Sequence, residues 1–486
     1  MWGVISKLLD AGIKFLTIPL LLGYFGKGNY SILTLAMATN AYMALLDMGM
    51  NTGSVKYFSQ WIATEKYDLL YRTAQTNIMF YLGIGFINSS ILIVLGIWGA
   101  NVFQITPEEF EIFQQLLYFL AVFSIVNWIT FVFNQLLIAD EKVAFIQQIA
   151  VVRSVLGLAI VGITILYKWS LIQYFIVYLS LNAFVIFPYY FQCKKNRLIG
   201  SVFPALYWKD FAVVFKYGLA ILAMSIFQFT ATQSRPLILG IFSKDGIDIL
   251  AEYRVIEVFP IFIISVGGML IGILLPKTSK AIQNNDRSLI EKMAYEGTKY
   301  TSILVSVLCF PLMLSSQELL TLYVGIEYTH LSVWLMLWIF TLTLFLHNTP
   351  VASLVLATGK TKMLVLSSAV ACIISIIINA VLCEYFGVGS AVIGYLVYII
   401  ILVSFYYFYF NSKVLNLKSN LVFKAFFIPT LIGFCIMLCI LYLQLSFSSL
   451  FIQLVIKSLL WCATYFVILY SFKIIDFKEM IGKVLT

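Results

Sequence analysis

The chain has 486 residues, of which 62% are hydrophobic and 11% are charged, and its formal net charge is +9. Soluble domains carry about 25% charged residues, so this composition excludes a soluble globular protein and indicates one embedded in lipid. Seven cysteines without a Cys-x-x-Cys pair and only two histidines argue against a metal site. We expect no cofactor and no nucleic-acid partner.

The apolar segments, taken in chain order, predict an all-α integral membrane protein. About 20 apolar residues are needed to cross the hydrocarbon core. Fourteen runs approximately meet this length, and the turn after the fifth is a single Lys168–Trp169 pair. The runs are 1–25, 30–51, 74–99, 113–138, 144–167, 169–191, 211–242, 253–275, 299–322, 332–356, 363–383, 389–411, 424–445 and 451–472.

The charges of the connecting loops predict the orientation of these spans. One set of loops carries most of the lysines and arginines, whereas the opposite set carries Lys27, Lys168 and Lys244. Because basic loops stay on the cytoplasmic side, both termini are predicted to be cytoplasmic. The loops predicted to lie outside are short, which argues against a membrane-bound polysaccharide polymerase or ligase, since such enzymes need room for a second substrate.

An internal repeat predicts two halves. Two nine-residue stretches, 217 positions apart, are identical at six of their nine positions. They are 19–27 (Pro-Leu-Leu-Leu-Gly-Tyr-Phe-Gly-Lys) and 236–244 (Pro-Leu-Ile-Leu-Gly-Ile-Phe-Ser-Lys). Such repeats in membrane proteins are typical of transporters that hold the substrate between the halves. The predicted organisation is an N-lobe at 1–191 (helices 1–6), a basic cytoplasmic linker at 192–210, a C-lobe at 211–411 (helices 7–12), and two appended helices with a cytoplasmic tail at 412–486.

Basic residues inside the predicted spans are the candidate substrate-binding groups. A charge at mid-bilayer costs about 2.5–3.5 kcal/mol, so it must face a lumen, a partner or water. Arg153 lies too deep to reach an interface and has no acidic residue nearby in sequence. With Lys14 and Arg235 it would form a cavity that attracts an anion, and the planar fork of arginine suits a phosphate. Lys216 and Lys457 are further candidates, although both could instead extend to an interface.

Acidic residues inside the spans are candidates for structural or coupling roles. Asp10 and Lys14 are four residues apart and can pair along one helix. Glu257 could neutralise Arg235 if the two lie at a similar depth. Asp47, near the cytoplasmic end of the second run, is expected to brace the loop that follows it.

Several short stretches resemble one transporter family. They are 19–26 with Asn29-Tyr30-Ser31-Ile32, the Leu-Leu-Asp-Met-Gly-Met stretch at 45–50, and in the second half 237–240, Tyr253, Leu275-Pro276 and 357–360 (Ala-Thr-Gly-Lys). The whole chain resembles the multidrug/oligosaccharidyl-lipid/polysaccharide exporter superfamily, and within it the O-antigen and capsule flippases of the Wzx type. The stretch Gln233-Ser234-Arg235 departs from the family pattern, because no acidic residue precedes the arginine.

The resemblance implies two six-helix lobes related by a pseudo-two-fold repeat, with two helices appended. It implies a non-enzymatic flippase in the bacterial inner membrane that moves an undecaprenyl-pyrophosphate-linked oligosaccharide to the outer leaflet by alternating access. Expected partners are this lipid-linked oligosaccharide, membrane lipids, a polysaccharide polymerase and a chain-length regulator. Two alternatives remain open within the superfamily: a multidrug or organic-cation antiporter, and a flippase for the peptidoglycan lipid precursor.

Overall fold

The computed structural model describes residues 2–244, 246–284, 286–358, 362–445, 447 and 449–475, and every regular element in these ranges is a helix. The predicted all-α membrane fold is therefore confirmed. Within the described ranges, eleven helices are long and apolar enough to cross a membrane, and a bent twelfth, Trp208–Ala223 with Ile226–Phe242, adds one more. The tail from 476 and residues 359–360 of the motif at 357–360 lie outside the described residues.

The first helix, α1 (Trp2–Met43), is long enough for two of the predicted spans. Its 42 residues would measure about 63 Å if straight, roughly twice the hydrocarbon thickness of about 30 Å. Gly26 breaks it with φ 78° and ψ 169°, a conformation that glycine adopts without a steric penalty. The break falls between the predicted runs 1–25 and 30–51. The total of fourteen spans stays a prediction.

The chain divides into two compact units, of which the first comprises Met1–Val255 and Ser375–Ala391. In the described ranges, eight α-helices of this unit precede residue 243. They are α1, α2 (Met48–Ala63), α3 (Tyr67–Trp98), α4 (Pro107–Ala139), α5 (Val143–Tyr167), α6 (Leu171–Phe184), α7 (Ile186–Lys195) and α8 (Trp208–Phe242). The lobe boundaries given above for 1–191 and 211–411 stay a prediction.

Helices α2 and α8 of the first unit touch backbone to backbone. A Cβ added at Gly49 would lie 2.1 Å from the carbonyl oxygen of Gly218, and one at Gly53 would lie 2.9 Å from that of Val214. Small residues permit such close approach of membrane helices, where dispersion contacts replace the hydrophobic effect as the driving force. The glycines of α2 therefore set the distance between these two helices.

Equivalent positions of the sequence repeat meet within the first unit. Ser31 Oγ donates a hydrogen bond to the carbonyl oxygen of Asp248 over 3.3 Å and accepts one from the backbone N–H of Ala251 over 3.2 Å. Ser31 and Asp248 are 217 positions apart, which is the offset between the two repeat copies. Equivalent positions contact each other where a local two-fold axis passes between them, so this contact supports the repeat read from the sequence.

The short turn between α5 and α6 lies where the sequence predicts it. Lys168 ends α5 in the left-handed region with φ 54°, and Ser170 and Gln173 form a reciprocal capping box at the start of α6. A capping box satisfies two backbone N–H groups that a helix start leaves without partners. The Tyr24 hydroxyl donates to the Trp169 carbonyl over 3.1 Å, which ties this turn to α1.

The second unit comprises Ile256–Ile374 and Val392–Thr486. Its core includes Gly433, which lies beneath the rings of Phe310 and Trp461, and the Trp461 indole N–H donates to the Gly433 carbonyl over 3.0 Å. The remaining α-helices, some of which contribute residues to both units, are α9 (Ile249–Gln283), α10 (Arg287–Leu314), α11 (Ser316–Val324), α12 (Ser332–Leu346), α13 (Thr349–Ala357), α14 (Lys362–Phe386), α15 (Val388–Phe405), α16 (Ser419–Tyr442) and α17 (Leu450–Ser471). A π-helix, Tyr406–Val414, follows α15.

Candidate functional site

Two adjoining cavities lie among the helices of the first unit. The larger has a volume of about 380 Å³ and the smaller about 270 Å³. Met37, Arg153, Tyr178 and Asn182 line both, so the two cavities adjoin at these four side chains. Because their linings differ in chemistry, we name the larger one the amide cavity and the smaller one the charged cavity.

The charged cavity brings two of the predicted substrate-binding residues together. Lys14 on α1 and Arg153 on α5 both line it, as does Asp10. Asp10 Oδ2 lies 2.7 Å from Lys14 Nζ, which confirms the pairing expected from their spacing along the helix. Ser154 Oγ also donates to Asp10 Oδ1 over 3.0 Å, so α1 and α5 are hydrogen-bonded at the level of Arg153.

Arg153 is the cation of these two cavities that forms no close ion pair in the described part of the chain, although Asp10 lies within electrostatic range of it. Among the residues that the structure describes, its guanidinium has neither an ion pair nor a hydrogen-bonded partner, and the side chain is exposed to the cavities. Lys14 and Asp10 offset each other, so the three charged residues that line the two cavities sum to +1. The space therefore attracts an anion, and its strongest anchoring group is a bidentate donor.

Apart from Arg153, the amide cavity is lined by uncharged polar groups, aromatic rings and aliphatic side chains such as Leu120 and Val185. Five asparagine side chains from four helices face it. They are Asn40 on α1, Asn88 on α3, Asn127 and Asn134 on α4, and Asn182 on α6. Each amide offers two donors and an acceptor with two lone pairs. The aromatic part of the wall is formed by Trp128, Phe131, Tyr178 and Tyr189.

Asp47 does not line this cavity but contacts its wall through Tyr81. It is buried and accepts a hydrogen bond from the hydroxyl of Tyr81. Tyr81 in turn accepts from Gln135 Nε2 over 2.6 Å and stacks on Trp128 with ring centroids 5.8 Å apart. From the sequence, Asp47 is expected to brace the loop after the run 30–51. In the structure the chain continues there as helix α2, and the hydrogen-bonded partner of Asp47 is Tyr81 on α3.

The other basic candidates from the first unit do not line these two cavities. Arg235 is buried in α8, where its Nε donates to the carbonyl of Ala231 over 3.1 Å. Lys216 lies on the exposed surface of the same helix. A role for either residue in substrate binding stays a prediction, as does the suggested neutralisation of Arg235 by Glu257 on α9.

Lys457 lies in the second unit and is held by a carboxylate. It is buried on α17, and its ammonium forms an ion pair with Glu318 on α11, which also accepts a hydrogen bond from Gln453. Its side chain therefore does not extend to an interface, because a nearby acid neutralises it inside the protein. This pair was not foreseen from the sequence, since the two residues are 139 positions apart.

The asparagines of the amide cavity and Ser154 were also missed in the sequence. The signal that could have found them is the occurrence of amides inside runs that are otherwise apolar, because unsatisfied polar groups are costly in lipid. Asn40, Asn88, Asn127 and Asn182 each interrupt such a run. Charge alone directed the prediction to Lys14 and Arg153.

Residues 4–163, the N-terminal third of the chain, match the MatE family. Among curated proteins, none matches this sequence. The lipid II flippase MurJ in an inward closed conformation superimposes with a TM-score of 0.74 at 13% identity, over 98% of this chain and 99% of that chain.

Multidrug transporters share the same architecture over a smaller part of the chain. A multidrug resistance MATE family transporter of the MOP superfamily in an inward-facing conformation gives a TM-score of 0.65 at 12% identity, covering 82% of this chain and 96% of that chain. An outward-facing conformation of such a transporter gives 0.56 at 13% identity, covering 82% and 92%. At such low identities the likeness establishes the architecture only. The chain is a multi-pass membrane protein with the fold that MurJ and the MATE transporters share.

Proposed function

We propose that this chain translocates an undecaprenyl-pyrophosphate-linked oligosaccharide, an O-antigen or capsule repeat unit, from the cytoplasmic to the outer leaflet of the bacterial inner membrane. The movement is by alternating access, with both termini in the cytoplasm. The observation that carries this proposal is the position of Arg153, which lines both the charged cavity and the amide cavity and gives them a net charge of +1. The same proposal makes the protein a transporter and not an enzyme.

The chemistry of the substrate matches the chemistry of the two cavities. A pyrophosphate is a dense anion, and a guanidinium can bind two of its oxygens at once. Sugars are uncharged and rich in hydroxyl groups, which amide side chains can both donate to and accept from. Because the hydrated head group cannot cross hydrocarbon unaided, a polar cavity must replace its hydration while the prenyl tail stays in lipid.

An organic-cation antiporter is the first competing function, and the charge of the site argues against it. A cation would need an available carboxylate, and Asp10 is the acid that lines these two cavities. Asp10 is paired with Lys14 at 2.7 Å, so it offers little attraction to a second cation. The sum of charges around the space favours an anionic substrate.

A flippase for the peptidoglycan lipid precursor is the second competing function. The fold shared with the lipid II flippase MurJ favours it, and its substrate carries the same pyrophosphate. Arg153 could therefore bind the pyrophosphate of either substrate. The two functions differ in the sugar portion that the protein must recognise.

Reconstitution of the purified full chain in liposomes tests the proposal. We would present three substrates separately: an undecaprenyl-pyrophosphate-linked oligosaccharide, lipid II, and a fluorescent organic cation. We expect the undecaprenyl-pyrophosphate-linked oligosaccharide to move between the leaflets faster than the other two substrates. Its accessibility to an added glycosidase measures this transfer. If lipid II alone is transferred, the protein is a flippase for the peptidoglycan precursor. If the organic cation alone is transported, the protein is an antiporter. Either result contradicts the proposal.

A further inference from the structure

The amide cavity carries an inference about how the substrate is recognised, and it rests on the proposed function. We propose that this cavity is a subsite for the uncharged sugar next to the pyrophosphate, and that Arg153 holds the pyrophosphate at the junction of the two cavities. The subsite consists of Asn40, Asn88, Asn127, Asn134 and Asn182, with Trp128 as its rigid aromatic wall.

The hydrogen-bonding state of Asn88 is the first argument. Its side chain is 2% exposed, and its Nδ2 donates to Asn40 Oδ1 over 3.4 Å. In the part of the chain that the structure describes, Asn88 Oδ1 has no hydrogen-bond partner. Buried polar atoms are nearly always satisfied, so an orphaned acceptor on a cavity wall indicates a donor that arrives with a ligand. A sugar hydroxyl is such a donor.

The arrangement of the other amides is the second argument. Asn40, Asn127, Asn134 and Asn182 reach the same cavity from α1, α4 and α6. Amides placed around a space can meet the hydroxyls of a sugar, each of which donates and accepts, through the amide atoms that hydrogen bonds within the protein, such as that of Asn182 Nδ2 to the Tyr178 carbonyl, leave available. The volume of about 380 Å³ falls within the range of roughly 300–1,000 Å³ that is typical of small-molecule sites.

The aromatic wall is the third argument. Trp128 is 4% exposed and lines the cavity, and its ring stacks on Tyr81 with centroids 5.8 Å apart and planes inclined by 26°. Since Tyr81 is anchored by Asp47 and Gln135, the indole is fixed in place. A rigid aromatic surface beside polar groups suits a ligand with apolar C–H faces and a hydroxylated rim.

The position of Arg153 joins the two parts of the substrate. Arg153, Tyr178 and Asn182 line both cavities, so a phosphate on the guanidinium places the attached sugar at the mouth of the amide cavity. Sugar selectivity then depends on Asn88 and its neighbours, whereas recognition of the anion does not.

Native mass spectrometry of the purified full chain in detergent tests this division. The two probes are undecaprenyl pyrophosphate without sugar and the same lipid carrying an oligosaccharide. For the wild-type chain we expect the sugar to increase affinity about tenfold or more. In the single variants Asn88→Leu and Asn127→Leu, the sugar should no longer increase the affinity. Each variant should still bind the sugar-free lipid as the wild type does, and this binding shows that the variant is folded.

The other outcomes separate the sugar subsite, the anion site and the proposed function. If both asparagine variants keep the full increase in affinity, the sugar subsite is overturned while the proposed function stands. If Arg153→Gln alone loses binding of both lipids, the anion site is supported independently of the subsite. If the wild-type chain binds neither lipid, the proposed function fails and the subsite fails with it.

Discussion

The carboxylate of Asp10 accepts a hydrogen bond from Ser154 Oγ over 3.0 Å, and this contact joins α1 to α5 one residue from Arg153. Asp10 also lies 2.7 Å from Lys14. Asp10 therefore has two close partners on the wall of the charged cavity, and Arg153 beside it has no close ion pair in the described part of the chain.

Replacing Arg153 by glutamine should reduce transport strongly without reducing the amount of protein in the membrane. A hydrogen bond to a charged group contributes about 1.5–3 kcal/mol, so the rate should fall roughly 10–100-fold. Arg153→Lys should keep part of the activity, because it keeps the charge but loses the bidentate geometry. Arg197→Gln, which removes the same group from an exposed turn, is the matched control. Wild-type transport by Arg153→Gln would contradict the anion site.

Lys14→Gln should lower transport, and adding Asp10→Asn should restore part of it. The single change leaves the Asp10 carboxylate without its counter-charge, so the charge of the space falls from +1 to zero. The double change removes the carboxylate as well and returns the sum to +1. Transport rates of the two single variants and the double variant form a double-mutant cycle. Additive losses in the double variant would show that the pair does not act through the charge of the cavity.

Breaking the buried pair between Glu318 and Lys457 should destabilise the protein rather than alter substrate recognition. Removing one partner leaves a buried charge uncompensated, which costs about 3–5 kcal/mol. Lys457→Met should therefore lower the unfolding temperature in detergent, and Glu318→Leu added to it should recover much of the loss. A stable Lys457→Met protein with weakened binding of the pyrophosphate lipid would instead assign Lys457 to the substrate.

Tyr81→Phe should destabilise the first unit and loosen the wall of the amide cavity. The change removes the hydroxyl that links Asp47 to Gln135 in a buried setting, and an unsatisfied buried polar group costs about 1–3 kcal/mol. Tyr442→Phe is the control, because Tyr442 is 87% exposed. The unfolding temperature of both variants checks the expectation, and an equal effect of the two changes would show that the buried hydroxyl contributes nothing.

Gly49→Ala should separate α2 from α8 and lower stability. The added methyl would lie 2.1 Å from the carbonyl oxygen of Gly218, which is backbone and cannot rotate away. Gly83→Ala on α3 has open space around it, so it should be neutral or stabilise by about 0.5–1 kcal/mol through helix propensity. Thermal unfolding of both variants in detergent measures the contrast. A tolerated Gly49→Ala would contradict the close packing of these helices.

The sequence predicts the features that depend on local composition and periodicity. Apolar runs give the helices, the turn at Lys168–Trp169 follows from one polar pair, and the repeat offset of 217 reappears as the contact between Ser31 and Asp248. Pairing of Asp10 with Lys14 was predictable as well, because residues four apart are neighbours on one helix. The candidate anion site was predicted in part, through Lys14 and Arg153.

Long-range partners were decided by the tertiary structure alone. Nothing in the local sequence relates Glu318 to Lys457 or Asp47 to Tyr81, since these contacts depend on which helix faces pack together. The same holds for the five asparagines, which lie on four helices and share one wall only after folding. In lipid, apolar surface does not select one neighbouring helix over another, and close packing with polar contacts does. The sequence by itself therefore determined that this chain is a membrane protein with intramembrane charges, and folding determined which charge is left to meet a ligand.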